Sequence, residues 1–186
     1  MPPRELAHLF PLDIGDGATL RGYTLDDAEE LYELVEANRE RLNPWMPWPE
    51  HTRGVEEQRT WIAQHLEDTE GLGIDLGGRL VGGAGLDVGP FRIMAEIGYW
   101  IDGAHEGEGL VTRAVVALTD LAFRHVGVHR LVIRAGVGNA RSRAIPERLG
   151  FTYEGVLRGE GKGSAGYGFH DLAIYSMLED EWAPQA

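Results

Sequence analysis

Between Gly73 and Arg124, three strand-like runs punctuated by glycines lead straight into the clearest helix of the chain. The runs are Gly73–Leu76, Arg79–Val88 and Ile93–Ile101, separated by glycines. In the helical stretch Leu110–Arg124, Leu110, Ala114, Ala117, Leu118 and Leu121 fall on one side. A sheet must bury a face and a helix its apolar stripe, and packing one on the other satisfies both. Neither an all-helical nor an all-strand fold accommodates this succession.

The flanking segments fit the same architecture. Ala18–Tyr23 reads as a first strand, and Thr24 with Asp27 resembles a capping box before a helix. Leu31, Leu34, Val35 and Leu42 give that helix an apolar stripe, and the prolines within Asn43–Pro49 end it. A second helix is expected over about Val55–Asp68, with Val55, Ile62 and Leu66 on one face. Leu131–Val137 reads as a strand, and Asn139–Leu149 as a short helix stopped by Gly150, a residue suited to the left-handed turn after a helix. Phe151–Leu157 and Leu172–Leu178 read as two last strands, paired antiparallel across a Gly159–Gly168 loop. The expectation is a mixed α/β (α+β) domain with one largely antiparallel sheet of seven strands and about four helices.

With 186 residues the chain reads as one domain over residues 1–186. Cysteine is absent, which excludes disulfides, thiolate metal ligands and a Cys nucleophile. Met1–Pro11 has no basic segment followed by an apolar one, and no apolar run is long enough to span a bilayer, so a cytoplasmic protein is expected. The formal net charge of −13 argues against direct nucleic-acid binding and no membrane partner is expected. The same charge suits either a basic acceptor, such as a polyamine or a basic protein tail, or an acidic surface kept for solubility. The seven histidines form no HExxH pattern, and Gly127 separates His125 from His129, so no metal is expected.

Three constellations carry chemistry. Glu106–Thr112 holds Gly107 and Gly109 just before the Leu110 helix, where free first-turn N–H groups and the helix dipole suit a pyrophosphate. A plain strand-to-helix turn would look the same. Asn139 can cap the helix whose first turn contains Ser142, and Glu147–Phe151 follows. Glu96–Ile101 alternates like a strand, with Gly98 permitting a bulge or a close approach.

Together these resemble the GCN5-related N-acetyltransferase (GNAT) superfamily, and within it the ribosomal-protein-type (RimJ/RimL-like) N-terminal acetyltransferases. Glu154-Gly155, Asp171–Tyr175 and Glu181-Trp182 extend the resemblance, which runs from about Thr19 to Trp182. It implies the GNAT fold, whose two central strands, here Glu96–Ile101 and Leu131–Val137, splay apart. It implies acetyl-CoA as co-substrate, with the pantetheine arm in that gap near Tyr99, Trp100 and Ile101. The pyrophosphate would lie on Gly107, Glu108, Gly109, Leu110, Val111 and Thr112, with Asn139 and Ser142 on the opposite wall. A backbone N–H near Tyr99–Ile101 would hold the oxyanion. Acetyl would pass directly to a primary amine, a protein N-terminal α-amine first among the candidates. The rivals are a small-molecule amine and an acyl-CoA-binding module without turnover.

The resemblance also assigns proton carriers. Glu160 and Glu96 are the candidate bases for the amine. Most of the superfamily protonates the departing thiolate with a tyrosine seven residues after the asparagine, where this chain has Pro146, and Ser142 takes the role instead. His105, Glu106 and Glu108 replace the usual basic or Gln residues of the phosphate loop, leaving Arg113, Arg141 or Arg143 to compensate. Trp45 and Trp48 either wall the acceptor pocket or pack a proline turn onto the core. Asp171 is read as a strand anchor rather than as a partner of His170 in acid–base work. Gly77-Gly78 and Gly82-Gly83 are read as turn and bulge residues without a further role. A homodimer is expected, as for many proteins of this type.

Overall fold

A computed structural model describes residues 6, 9–66 and 68–183. The strands are β1 (Leu12–Gly15), β2 (Ala18–Gly22), β3 (Leu72–Leu76), β4 (Arg79–Val88), β5 (Met94–Ile101), β6 (Arg130–Gly136), β7 (Thr152–Lys162) and β8 (Phe169–Leu178). The α-helices are α1 (Ala28–Leu42), α2 (Val55–Gln64), α3 (Leu110–Asp120) and α4 (Ala140–Arg148). They build one sheet in the order β1-β2-β3-β4-β5-β6-β8-β7. Every neighbouring pair is antiparallel except β5 with β6, which is parallel.

Among the described residues the expected seven strands are corrected to eight. β1 is four residues long and joins β2 through Gly15-Asp16-Gly17, where all three residues have positive φ. A strand that short shows no alternation, so the sequence leaves no period to read. Two helix ends also move. α2 stops at Gln64, not near Asp68, and α3 gives way at Leu121 to a π-helical turn that runs to Val126 and closes on Gly127 at φ +74°.

Two apolar layers hold the sheet. Leu110, Ala114, Val115, Leu118 and Leu121 pack against Leu20, Ile74, Leu86, Ile97, Leu131 and Ile133. On the other side, Leu31, Val35 and Ile62 of α1 and α2 cluster with Tyr23 and Leu80. β5 displays the division through its pleat. Ile97, Tyr99 and Ile101 side with α3, and Trp100 sides with α1 and α2. The box at Thr24 and Asp27 is formed around a short 3-10 turn ahead of α1.

The feature that positions the site lies at the centre of the sheet. β5 pairs with β6 only at Met94, Ala95 and Glu96, opposite Arg130, Leu131 and Val132. β5 then continues to Ile101 on β4 alone, and β6 to Gly136 on β8 alone. The two strands splay, as expected. Gly98 makes no bulge, since it stands in regular register with Gly85. The expected Gly159–Gly168 loop shrinks to residues 163–168, because β7 and β8 pair out to Lys162 and Phe169. Glu160 therefore sits in a β7 irregularity between Leu157 and Gly161.

Candidate active site

The loop after β5 curls as its glycines require. Gly107 (φ +83°) and Gly109 (φ +77°) are left-handed, and nothing stands within 4 Å of where a Gly107 Cβ would be. The Leu110 and Val111 side chains are buried in the core, and the first-turn N–H groups of α3 have no partner within the helix. Thr112 Oγ1 accepts from Arg148 Nη1 at 3.0 Å. The two acidic residues of the loop are each matched. Glu106 accepts from Arg41 of α1 and, at 2.5 Å, from Arg141 of α4. Glu108 meets His105 Nδ1 at 3.1 Å. Arg113 holds the Glu108 carbonyl at 3.1 Å and lies 3.4 Å from Asp16. Arg143 turns elsewhere, to the Tyr175 hydroxyl at 2.9 Å.

Across the splay, Asn139 caps α4 by accepting from the Ser142 N–H at 3.2 Å. The Ser142 hydroxyl donates to the Tyr99 hydroxyl at 3.3 Å, and that phenol donates to the Ser142 carbonyl at 2.9 Å. Burial pushes the Tyr99 phenol up to about 12, with the Ser142 hydrogen bond pulling the other way, so it rests protonated.

The gap opens on the α1/α2 side into a cleft of about 930 Å3. Gly98, Tyr99 and Trp100 line it, together with Tyr23, Trp48 and Trp61. Trp48 lies 5.9 Å from Trp100, and Tyr23 meets Trp61 edge-on at 5.7 Å. Glu56, Glu57, Glu70, Asp87 and Glu96 line it against Arg134 and His51. Burial, then Asp87 and Asp68, push the Glu70 carboxyl up. Glu96 and Glu160 are brought together by one guanidinium. Arg134 donates to Glu96 through Nε at 2.9 Å and to Glu160 through Nη1 at 2.8 Å. Glu96 and Arg134 border the cleft, whereas Glu160 stands on the far side of Arg134.

The two tryptophans of the proline turn separate. Trp48 lines the cleft, while Trp45 packs over Gly136 and Gly138 and meets His170 edge-on at 5.7 Å. Asp171 anchors β7 by accepting from the Gly159 N–H at 2.8 Å. Several contributors carry no motif. Gly71 and Gly83 look like ordinary strand glycines, yet a Cβ on either would stand 2.6 Å from the Trp61 or Trp100 ring. Gly83 thus has a role beyond the bulge assigned to Gly82-Gly83. Arg41 and Arg134 are anonymous surface cations in the sequence. His65, Asp68 and Glu70 bring their ligand atoms within 4.8 Å of one another, although no HExxH spacing announces them.

The gap and its loop fit an acetyl-CoA arm. Backbone polar groups line one side, and left-handed glycines before a helix N-terminus lie at its end. The comparisons agree with this geometry. The family model of the acetyltransferase (GNAT) domain matches residues 18–152. A putative ribosomal N-acetyltransferase of Bacillus subtilis, YdaF, is 36% identical over 94% of this chain and 98% of its own. The ribosomal-protein-serine acetyltransferase of Escherichia coli is 26% identical over 79% of this chain and 86% of its own. Among solved structures, the microcin C7 self-immunity acetyltransferase MccE, in complex with acetyl-CoA and AMP, superposes with a TM-score of 0.79. It is 30% identical, over 89% of this chain and 94% of that one. With the family model covering most of its length and its splayed strands, glycine turn before α3 and capped α4 in place, the chain belongs to the GNAT acetyltransferase family.

Proposed function

We propose that this acetyltransferase moves acetyl from acetyl-CoA to the N-terminal α-amine of a basic protein, by direct attack in a ternary complex. The observation that carries the acceptor class is the cleft at the splay. Its lining sets five carboxylates against Arg134 and His51, with Trp48, Trp61 and Trp100 among them. Such a surface favours a cation with apolar neighbours. An α-amine ionises near 8 and a lysine near 10.4, so the α-amine is the easier nucleophile at neutral pH. Relatives named for ribosomal-protein acetylation support the same acceptor and a cytoplasmic setting.

In this reading the nitrogen attacks while the thioester carbonyl faces a backbone N–H of Tyr99–Ile101. Glu96, at the border of the cleft, takes the amine proton, and Glu160 shares its guanidinium. Ser142 serves the departing sulfur. The chain works as a homodimer, for which edge strand β7 offers exposed Tyr153 and Val156. Trp182 is unavailable to such an interface, being hydrogen-bonded to Asp120 at 2.9 Å and packed on the core.

The similarity to MccE, solved in complex with acetyl-CoA and AMP, supports a second reading, a small-molecule amine as acceptor. An acceptor screen with product mass spectrometry separates the two. Basic peptides with free N-termini are expected to gain acetyl on the α-nitrogen and to lose that reactivity when the terminus is blocked. Acetylation of polyamines or nucleoside-linked amines alone, with peptides untouched, overturns the protein acceptor.

A further inference from the structure

We propose that Tyr99 is a positioning residue for Ser142, and that Pro146 installs it there. The inference rests on the reading of Ser142 as the residue that serves the leaving sulfur. In an α-helix the Ser142 carbonyl would be paired by the N–H of residue 146, but proline has none. α4 carries that proline in its interior. The carbonyl it leaves free accepts instead from the Tyr99 hydroxyl at 2.9 Å, across the splay from β5. The phenol, fixed by that bond, presents its oxygen to Ser142 Oγ at 3.3 Å. One substitution in α4 therefore has two effects. It removes a side chain able to donate from position 146, and it exposes the acceptor that recruits a phenol from the opposite wall.

The pair changes what Ser142 can do. A serine hydroxyl alone is a poor proton donor, because the alkoxide it would leave is strongly basic. Tyr99, with its one proton, can move its donation from the Ser142 carbonyl to Ser142 Oγ without leaving its place. As the nitrogen–carbon bond forms and the carbon–sulfur bond breaks, the electron pair departs on sulfur. Sulfur takes the Ser142 proton, Ser142 takes the Tyr99 proton, and solvent restores the phenol. The amine proton passes to a carboxylate and then to solvent. The sum is one N–H lost and one S–H gained. Without the phenol, the Ser142 hydroxyl is free to rotate and bears the whole charge.

A double-mutant cycle on the full chain tests this. Tyr99→Phe is expected to lower kcat about fivefold, the worth of one ordinary hydrogen bond, with the KM for acetyl-CoA nearly unchanged. Ser142→Ala is expected to lower kcat about 10²-fold. Adding Tyr99→Phe to Ser142→Ala is expected to cost nothing more, because the phenol acts through the serine. Pro146→Ala returns an N–H to the Ser142 carbonyl and is expected to reproduce part of the Tyr99→Phe loss. A readout free of turnover is the ultraviolet titration of the thiol of bound CoA. It is expected to ionise at lower pH than free CoA, and the shift is expected to shrink in Tyr99→Phe. The proposal is overturned if Tyr99→Phe leaves kcat unchanged, if its loss is equal in both backgrounds, or if the bound thiol does not respond to it. Absence of acetyl transfer by the wild type, with the thiol shift intact and sensitive to Tyr99, would instead reject the acceptor reading and leave the pair standing.

Discussion

Glu106 is the residue whose effect changes most between sequence and structure. As a sequence letter it is an anion beside a pyrophosphate, and it predicts weakened binding. In place it joins Arg41 of α1 to Arg141 of α4, so its charge is matched by two guanidiniums beside the Gly107–Gly109 turn. Glu106→Gln is expected to tighten acetyl-CoA about threefold to tenfold, because it releases two cations while removing an anion. Calorimetry in low and moderate salt checks this, with the gain shrinking as salt rises. Unchanged or weaker affinity in Glu106→Gln would show that the arginines serve only to brace the loop. Asn139, Ser142 and the loop glycines could be read directly, because a cap and a left-handed turn are local devices written within a few residues. The partners of Glu106, Arg134 and Tyr99 could not. Each lies 26 or more residues away in the chain, and nothing local states which cation reaches which carboxylate.

At the scale of elements, the sequence located all four α-helices, with the end of α2 set too late, and every strand but the four-residue β1. The errors cluster where hydrogen bonding departs from the ideal period, as at the π turn after α3 and the β7 irregularity at Glu160. β7 is an edge strand, and its attachment has a titratable part. Glu154 of β7 meets Arg130 of β6 at 2.5 Å and accepts from Ser176 of β8 at 2.8 Å. The Arg130 guanidinium first, then the Ser176 hydroxyl, hold this carboxyl down at about 2. An unfolded Glu ionises near 4.3, so between those values the unfolded chain binds more protons. The stabilisation is therefore complete above about pH 4.3 and is lost as pH falls toward 2. The site is partly exposed, so the effect is modest. Glu154→Gln is expected to flatten that section of the acid-unfolding curve by lowering stability modestly at neutral pH and leaving it unchanged near pH 2. An acid limb identical to wild type, followed by circular dichroism, would remove the pair from the account of β7.

The whole molecule carries a charge of −13 and must still admit a polyanionic donor. It manages this by separation. The carboxylates of the cleft lie on the α1/α2 side, and Arg41, Arg113, Arg141 and Arg148 gather around the loop that opens α3. Screening over about 8 Å at physiological salt keeps the two regions distinct. Acetyl-CoA is expected to slow amide hydrogen exchange at residues 97–101, where β5 has lost its neighbour, and to leave β1 and β7 unchanged. Mass-spectrometric exchange with and without the donor checks this, and protection confined to residues 106–112 would mean that the arm stays outside the sheet.

The splay also bears on solubility. Unpaired strand edges are where polypeptides adhere to one another, and soluble proteins usually keep them short, charged or covered. This chain keeps one in its own middle. The Tyr99–Ser142 and Glu106–Arg141 rungs reach across it from the β5 side to α4. The sheet thus retains an unpaired seam in its own middle, spanned by side-chain bonds to α4 rather than by a neighbouring strand.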